Sequence, residues 1–486
     1  MLTRIKDFPF FAFLLPVFFV LHAAAEHFYF IPGITIGFLL AKYLLLSGAL
    51  FGVFYWILRS RQKAALASFS LLGLFFLFGS LHNFLKSIKL FFFLSRYTVL
   101  LPLLLVFYFG LLYRISKKTI GAAVVRYLNV ALVAFLVIDA GSIAYKAYYR
   151  PPAFTLKPCA TCDQPDVYFI VVDGYAGQDQ LLSDFGFSNQ GFLDSLQNLG
   201  FQIGDHSVSN YTRTEYSMSS LLNMEYHNLP DYEVTPSRLN YCFSRIAQNK
   251  VVSGFESAGY AFVNNSIFDI ANKPAAVRNI FSVSGADLIE SQTLFGRIKR
   301  DIYVGFVLKY GQKTPLYKKL LFEYYEGDSI VSKNLLAEAR TISAKPRFIY
   351  THLLLTHFPY FYDSTGKLNP LSSIRLDNYV NKELYLNNLK GVNAKLLILL
   401  RGVRQNASKN ALIFLVSDHG FRYSPYPERC FSTLNAISYP GHSENFFRDS
   451  SSGVNQFRIF FNTLFRQKMP LLEDRNGQVP KLTLHE

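Results

Sequence analysis

The chain is 486 residues long, 51% hydrophobic and 16% aromatic, with a formal charge of +16. A surplus of that size suggests a polyanionic partner only where it forms a patch on a soluble fold. Residues 1–150 carry fifteen Lys and Arg against Asp7, Glu26 and Asp139, which leaves the rest near balance at +4 and excludes nucleic acid as the expected partner.

Apolar stretches at roughly 8–25, 34–58, 64–85, 97–113 and 121–143 are each long enough to cross a hydrocarbon core of ~30 Å at 1.5 Å per residue. Residues 1–150 are therefore expected to form a five-helix transmembrane domain. Arg4 and Lys6, then Arg59, Arg61 and Lys63, then Arg114, Lys117 and Lys118 flank alternate ends of these stretches. Positively charged loops stay in the cytoplasm, so five crossings put everything after residue 150 outside, on a protein of the inner (plasma) membrane. Lys42, Arg126 and Asp139 fall inside the spans, where ionisable groups are costly and raise a functional question. The two cations can snorkel; Asp139 calls for a partner or a shallow position.

Residues 151–164 read as a linker. All four cysteines, Cys159, Cys162, Cys242 and Cys430, follow the last span, where disulfides are permitted. Cys159 and Cys162 form a lone CxxC, which reads as a structural disulfide or free thiols because no second CxxC follows.

Val167–Tyr175 reads VYFIVVDGY, a short apolar run ending in an acid. Such a run fits a central strand of a parallel sheet, and ligands of open α/β sheets gather at the carboxyl ends of the strands. Phe348–Leu355 leads to His357, Ala411–Val416 leads to Asp418 and His419, and Leu434–Tyr439 is a weaker repeat. Helical patterns at 189–199, 251–258, 316–340, 379–403 and 454–465 alternate with these runs. The alternation argues for a three-layer α/β domain over residues 165–465, with a polar tail at 466–486.

Asp173, Asp418 and His419 all follow strand ends, and two carboxylates with an imidazole suit Zn²⁺ or Mn²⁺. His352 lies within a strand, where a packed core histidine is the more common outcome. Taken together, four blocks resemble the alkaline phosphatase superfamily and its sulfatase-like branch: VYFIVVDGY, TRTEYSMSSLL, THFPY and SDHG. The resemblance implies metal ligation by Asp173, Thr214, Asp418 and His419, with Thr214 as nucleophile at a helix start, where unpaired N–H groups favour an anionic intermediate. Thr214 could instead be only an N-cap, and Thr212 is the second candidate nucleophile. The resemblance also gives His357 a catalytic role, with Asn210, Arg213, Arg422 and His442 as candidate substrate-binding residues.

Position 214 is Thr, position 216 Tyr and position 218 Met, where true sulfatases carry Cys or Ser, Pro and Arg. Formylglycine cannot be made from threonine, so phosphoryl chemistry is favoured over sulfate-ester hydrolysis. The layout resembles lipoteichoic acid synthases and lipid A phosphoethanolamine transferases. That implies transfer of a phosphoryl head group from a membrane phospholipid to an envelope lipid or glycan. Asp173 departs from the glutamate usual in those families, which keeps a phosphodiesterase or sulfate-ester hydrolase as the alternative and a non-catalytic membrane protein as the second. The lid elements between residues 265 and 345, which ought to shape substrate choice, match no recognisable motif.

Overall fold

The computed structural model describes residues 8–149, 153–227, 235–278, 284–311, 314–441, 445–447 and 452–475. It divides into two compact units, Met1–Pro151 with Val283–Phe306, and Pro152–Ser282 with Val307–Glu486.

The first unit is helical, and its outer surface is apolar. Leu45, Val106 and Tyr127 are about three-quarters exposed, as lipid-facing side chains are, since only closed backbone hydrogen bonding is tolerated in hydrocarbon. The helices differ from five uninterrupted spans. Gly33–Leu58, Tyr97–Lys117 and Ala122–Tyr148 are long and apolar enough to cross a membrane; Arg61–Phe76 and Phe78–Ser87 make a pair bent by 50°. Phe11–Glu26 has 16 residues with Pro16 inside, which at 1.5 Å per residue falls a turn or more short of ~30 Å. Near the bend, the Gly79 amide donates to the Gln292 carbonyl at 2.8 Å, and a Cβ on Gly79 would come within 2.8 Å of the Gln292 Cα. Residues 284–306 thus pack with the helices of the first unit, although they fall inside the 165–465 stretch expected to form the α/β domain.

Two of the intramembrane charges acquire partners far away in sequence. Lys42 pairs with Glu290, and Asp139 lies 3.0 Å from His22 Nδ1.

The second unit is built on a six-stranded sheet in the order β2-β6-β5-β1-β4-β3. The strands are β1 (Val167–Val172), β2 (Gln202–Ile203), β3 (Ala261–Asn265), β4 (Arg347–Leu353), β5 (Leu412–Val416) and β6 (Asn435–Ser438). β5, β1, β4 and β3 run parallel, whereas β6 is antiparallel to both β5 and β2. β1, β4 and β5 are buried at every residue, which suits the apolar runs of β1 and β5; β4 buries Arg347, Thr351 and His352 as well.

Helices cover both faces. On one, Phe255 of helix Lys250–Ser257 stacks on Phe348 at 4.1 Å, and Phe457 of helix Gly453–Phe465 meets Phe169 edge-on at 5.0 Å. On the other lies helix Pro315–Arg340, where Glu338 bonds Arg347 at 3.0 Å; it packs on helix Lys382–Asn406. Arg347 is buried and also bonds Asp166 at 2.6 Å, tying the start of β4 to the start of β1. Cys159 and Cys162 are joined by a disulfide, while Cys242 and Cys430 are buried free thiols.

Candidate active site

The pleat of the sheet gathers the ligand-type residues. Phe169 is in register with Tyr350 and with Phe414, so the alternation of side chains places Phe348, Tyr350 and His352 on the face of Phe169 and Val171. Carried past the strand ends, the same alternation leads to Asp173 and Asp418. Ligand atoms of Asp173, His352 and Asp418 all lie within 4.8 Å of one another, and all three residues are buried.

His419 completes the cluster. Its Nε2 is 3.7 Å from Asp173 Oδ1 and 3.5 Å from Asp418 Oδ2. Its Nδ1–H donates to the Gly420 carbonyl at 2.7 Å, which leaves the lone pair on Nε2 facing the carboxylates. Gly174 makes room for the ring: it sits at φ +69°, and a Cβ there would meet His419 Cε1 at 3.3 Å.

The donor set fits a divalent cation. Asp418 Oδ1 accepts the amides of Gly174 and His419 at 2.9 and 3.0 Å, but buried Asp418 Oδ2, Asp173 Oδ1 and His352 Nε2 have no hydrogen-bond partner among the described residues. Orphaned buried carboxylate oxygens are expensive. Two carboxylates and two imidazoles suit Zn²⁺, and His352 has its outer-sphere support because its Nδ1 is 2.8 Å from the Tyr350 hydroxyl.

Thr214 opens helix Thr214–Leu221. The N-cap position belongs to Arg213, and no side chain caps the helix. Instead of serving its own helix, the half-buried Thr214 hydroxyl donates to Asp173 Oδ2 at 3.1 Å and lies 3.3 Å from His419 Nε2. Among the described residues it is the hydroxyl that bonds the Asp173 carboxylate; Thr212 is buried and makes no such bond. Ser217 fixes the helix by bonding the Asp418 main-chain carbonyl.

Electrostatics separate the two acids. Burial would raise the Asp173 carboxyl, but the imidazoles of His357, His352 and His419 outweigh it and hold it well below the usual carboxylate range. Burial and the Asp173 charge push Asp418 up to about 7. Burial pushes His419 down to about 3, with Arg422 adding to the effect, and pushes His357 down to about 4. At neutral pH both imidazoles are proton acceptors rather than cations.

No family model and no curated protein matches the chain. Solved structures do. The C-terminal periplasmic domain of EcEptC from Escherichia coli is 12% identical and aligns over 68% of this chain and 93% of its own, with a TM-score of 0.43. The integral membrane lipooligosaccharide phosphoethanolamine transferase A of Neisseria meningitidis is 13% identical over 95% of both chains, with a TM-score of 0.37. A phosphonate monoester hydrolase of Agrobacterium radiobacter is 11% identical over 62% of this chain and 74% of its own, with a TM-score of 0.35.

The other expected residues fall in different places. Arg422 reaches the cluster: its Nη2 is 2.5 Å from His419 Nε2 and 4.0 Å from Asp173 Oδ1. His357 Nδ1 lies 2.6 Å from the Phe358 carbonyl and 3.0 Å from the Tyr324 hydroxyl, with Asp173 near enough to act on it electrostatically. Arg213 lies 3.6 Å from Glu215. The Asn210 side chain joins Ser452 at 2.5 Å and the Val454 amide at 2.7 Å, at the start of helix Gly453–Phe465. His442 lies outside the described residues. His352 is the residue the sequence reading left in the core. The signal was its parity with Phe348 and Tyr350, one pleat before the level of Asp173, but that register exists only once β4 is known to pair with β1.

Proposed function

We propose that the chain is a metal-dependent transferase that moves a phosphoryl head group from a membrane phospholipid to an envelope lipid or glycan through an intermediate on Thr214. The observation that carries this is the Thr214 hydroxyl, which bonds an ionised carboxylate, faces a neutral imidazole nitrogen and does not cap its helix. Asp173, His352, Asp418 and His419 would hold the metal. When bound, such a cation polarises phosphoryl oxygens and lowers the pKa of a coordinated hydroxyl.

Asp173 orients the Thr214 Oγ1 lone pair by accepting its proton in a hydrogen bond. As Oγ1 attacks phosphorus, its proton passes to Asp173 Oδ2, which already accepts it in a hydrogen bond, and the P–O bond to diacylglycerol breaks with that oxygen taking up a proton from solvent. Arg422, a permanent guanidinium next to Asp173, provides positive charge for the equatorial oxygens. In the second half the acceptor hydroxyl attacks the phosphothreonine and Thr214 regains its proton. A multi-pass anchor with its catalytic unit outside the cytoplasm would keep this chemistry at head groups.

The test is diacylglycerol release from vesicles of phosphatidylethanolamine and phosphatidylglycerol by the purified full chain with Zn²⁺ or Mn²⁺. Release by the wild type that falls about 10³-fold or more in Thr214→Ala, as nucleophile removal does, supports the reading. Release of a free phosphorylated head group at the same rate without acceptor would favour the hydrolase, and no turnover of any ester would favour the non-catalytic alternative.

A further inference from the structure

The membrane unit holds a second cluster that the proposed chemistry does not use. Arg297 ends the turn Leu294–Arg297 and is only 5% exposed, yet its buried Nε has no hydrogen-bond partner among the described residues. Asp301, the acid that acts on it, is already held by the Tyr97 hydroxyl and by Arg300 Nε, both at 2.7 Å. Beside them, His82 is 1% exposed; its Nε2 donates to the Ser95 carbonyl at 3.0 Å, and its buried Nδ1 is also without a partner. Its ring packs 4.8 Å from Tyr97. Arg297 and Lys86 both act on it electrostatically. Burial and Arg300 both work against the charge on Arg297, and Asp301, the acid that acts on both Arg297 and His82, is already bonded to Tyr97 and Arg300, so the cluster carries more positive than negative charge. A buried cation without a full counter-charge favours the arrival of an anion.

The surroundings say which anion. Phe84, Phe92, Phe93 and Phe295 are each more than half exposed, and they belong to the end of helix Phe78–Ser87, the turn before helix Tyr97–Lys117 and the same short helix as Arg297. Exposed Phe side chains at the ends of apolar spans face acyl chains, and cations beside them face anionic head groups. A guanidinium fork matches phosphate oxygens in geometry and charge.

We infer that Arg297, with Lys86 and His82 beside it, binds the phosphodiester group of a resident phospholipid in the membrane unit. This site shares no residue with the Thr214 cluster, and the inference stands whether or not the transferase reading does. The shared chemistry is a phosphate oxygen on a guanidinium; its source is the lipid.

The experiment is native mass spectrometry of the delipidated full chain in detergent micelles, with phosphatidylglycerol, diacylglycerol of the same tails, or inorganic phosphate added separately. The wild type should retain one phosphatidylglycerol under activation that strips diacylglycerol, and inorganic phosphate should not displace it. Arg297→Met should lower retention at least about tenfold, the loss of one charge-assisted contact, while Lys299→Gln, at an exposed position, should leave it within about twofold. Arg297→Lys, which keeps the charge and loses the fork, should fall between and covers the case in which the methionine variant does not fold. Equal retention of diacylglycerol and phosphatidylglycerol by the wild type overturns the site. Displacement by inorganic phosphate overturns the lipid as its source, and unchanged retention in Arg297→Met overturns the residue.

Discussion

Replacing His352 with Gln separates a metal ligand from a packed core histidine. The side chain is fully buried, its Nε2 lies 3.4 Å from Asp173 Oδ2 without a hydrogen bond, and its Nδ1 is held by Tyr350. Apparent binding energies of about 10–16 kcal/mol for four-ligand zinc sites correspond to about 2.5–4 kcal/mol per ligand. At about 1.4 kcal/mol per tenfold, that is a loss of about 10²–10³ in affinity. Competition with a chromophoric zinc chelator, run on the full chain in detergent, reads it directly. Tyr350→Phe, which removes only the outer-sphere support, should cost about 10–100-fold. A His352→Gln variant that binds zinc within about twofold of wild type while losing thermal stability would return His352 to the core and refute the ligand assignment.

Gly174→Ala should be destabilised by about 1–2 kcal/mol for its left-handed backbone and should lose zinc affinity as well, because its Cβ meets the His419 ring at 3.3 Å; chemical denaturation and the chelator assay check the two parts separately. Arg347→Ala should cost about 3–5 kcal/mol by denaturant unfolding, since Asp166 and Glu338 both lose a buried partner. For Glu225, burial alone would raise the carboxyl, but Lys250 and Arg245 outweigh it and hold its pKa below the ordinary glutamate value of 4.5. A depressed folded-state pKa means stability fully present above pH 4.5 and lost as pH falls through the folded value; Glu225→Gln should be less stable at pH 7 and should flatten thermal stability against pH on the acid side. Zinc at 100 times its dissociation constant should add about 2.7 kcal/mol of stability, reversed by chelation and absent in a double Asp173→Asn, Asp418→Asn variant.

Strand ends were the legible part of this chain. An apolar run that stops at an acid declares both a buried strand and the group it presents, so β1 with Asp173 and β5 with Asp418 and His419 could be read directly. Thr214 followed from the resemblance of the TRTEYSMSSLL block, and its hydroxyl bonds Asp173. β3 escaped because AFVNN is short and half polar, and β2 has only two residues. His352 escaped because strand register is a tertiary fact. The same holds for residues 284–306: nothing in their composition says that Glu290 will pair with Lys42 or that Asp301 will take the Tyr97 hydroxyl. Apolar length alone does not register the 50° bend between Arg61–Phe76 and Phe78–Ser87 or the shortness of Phe11–Glu26.

The central claim is that the Thr214 oxygen carries the transferred group. Intact-mass and peptide-level mass spectrometry of the wild-type chain, quenched during turnover on phosphatidylethanolamine vesicles without acceptor, tests it directly. The account predicts a phosphorylated head-group adduct on the peptide containing Thr214, absent from Thr214→Ala. An adduct on Thr212 or any other residue, or diacylglycerol release that continues undiminished in Thr214→Ala, would contradict it.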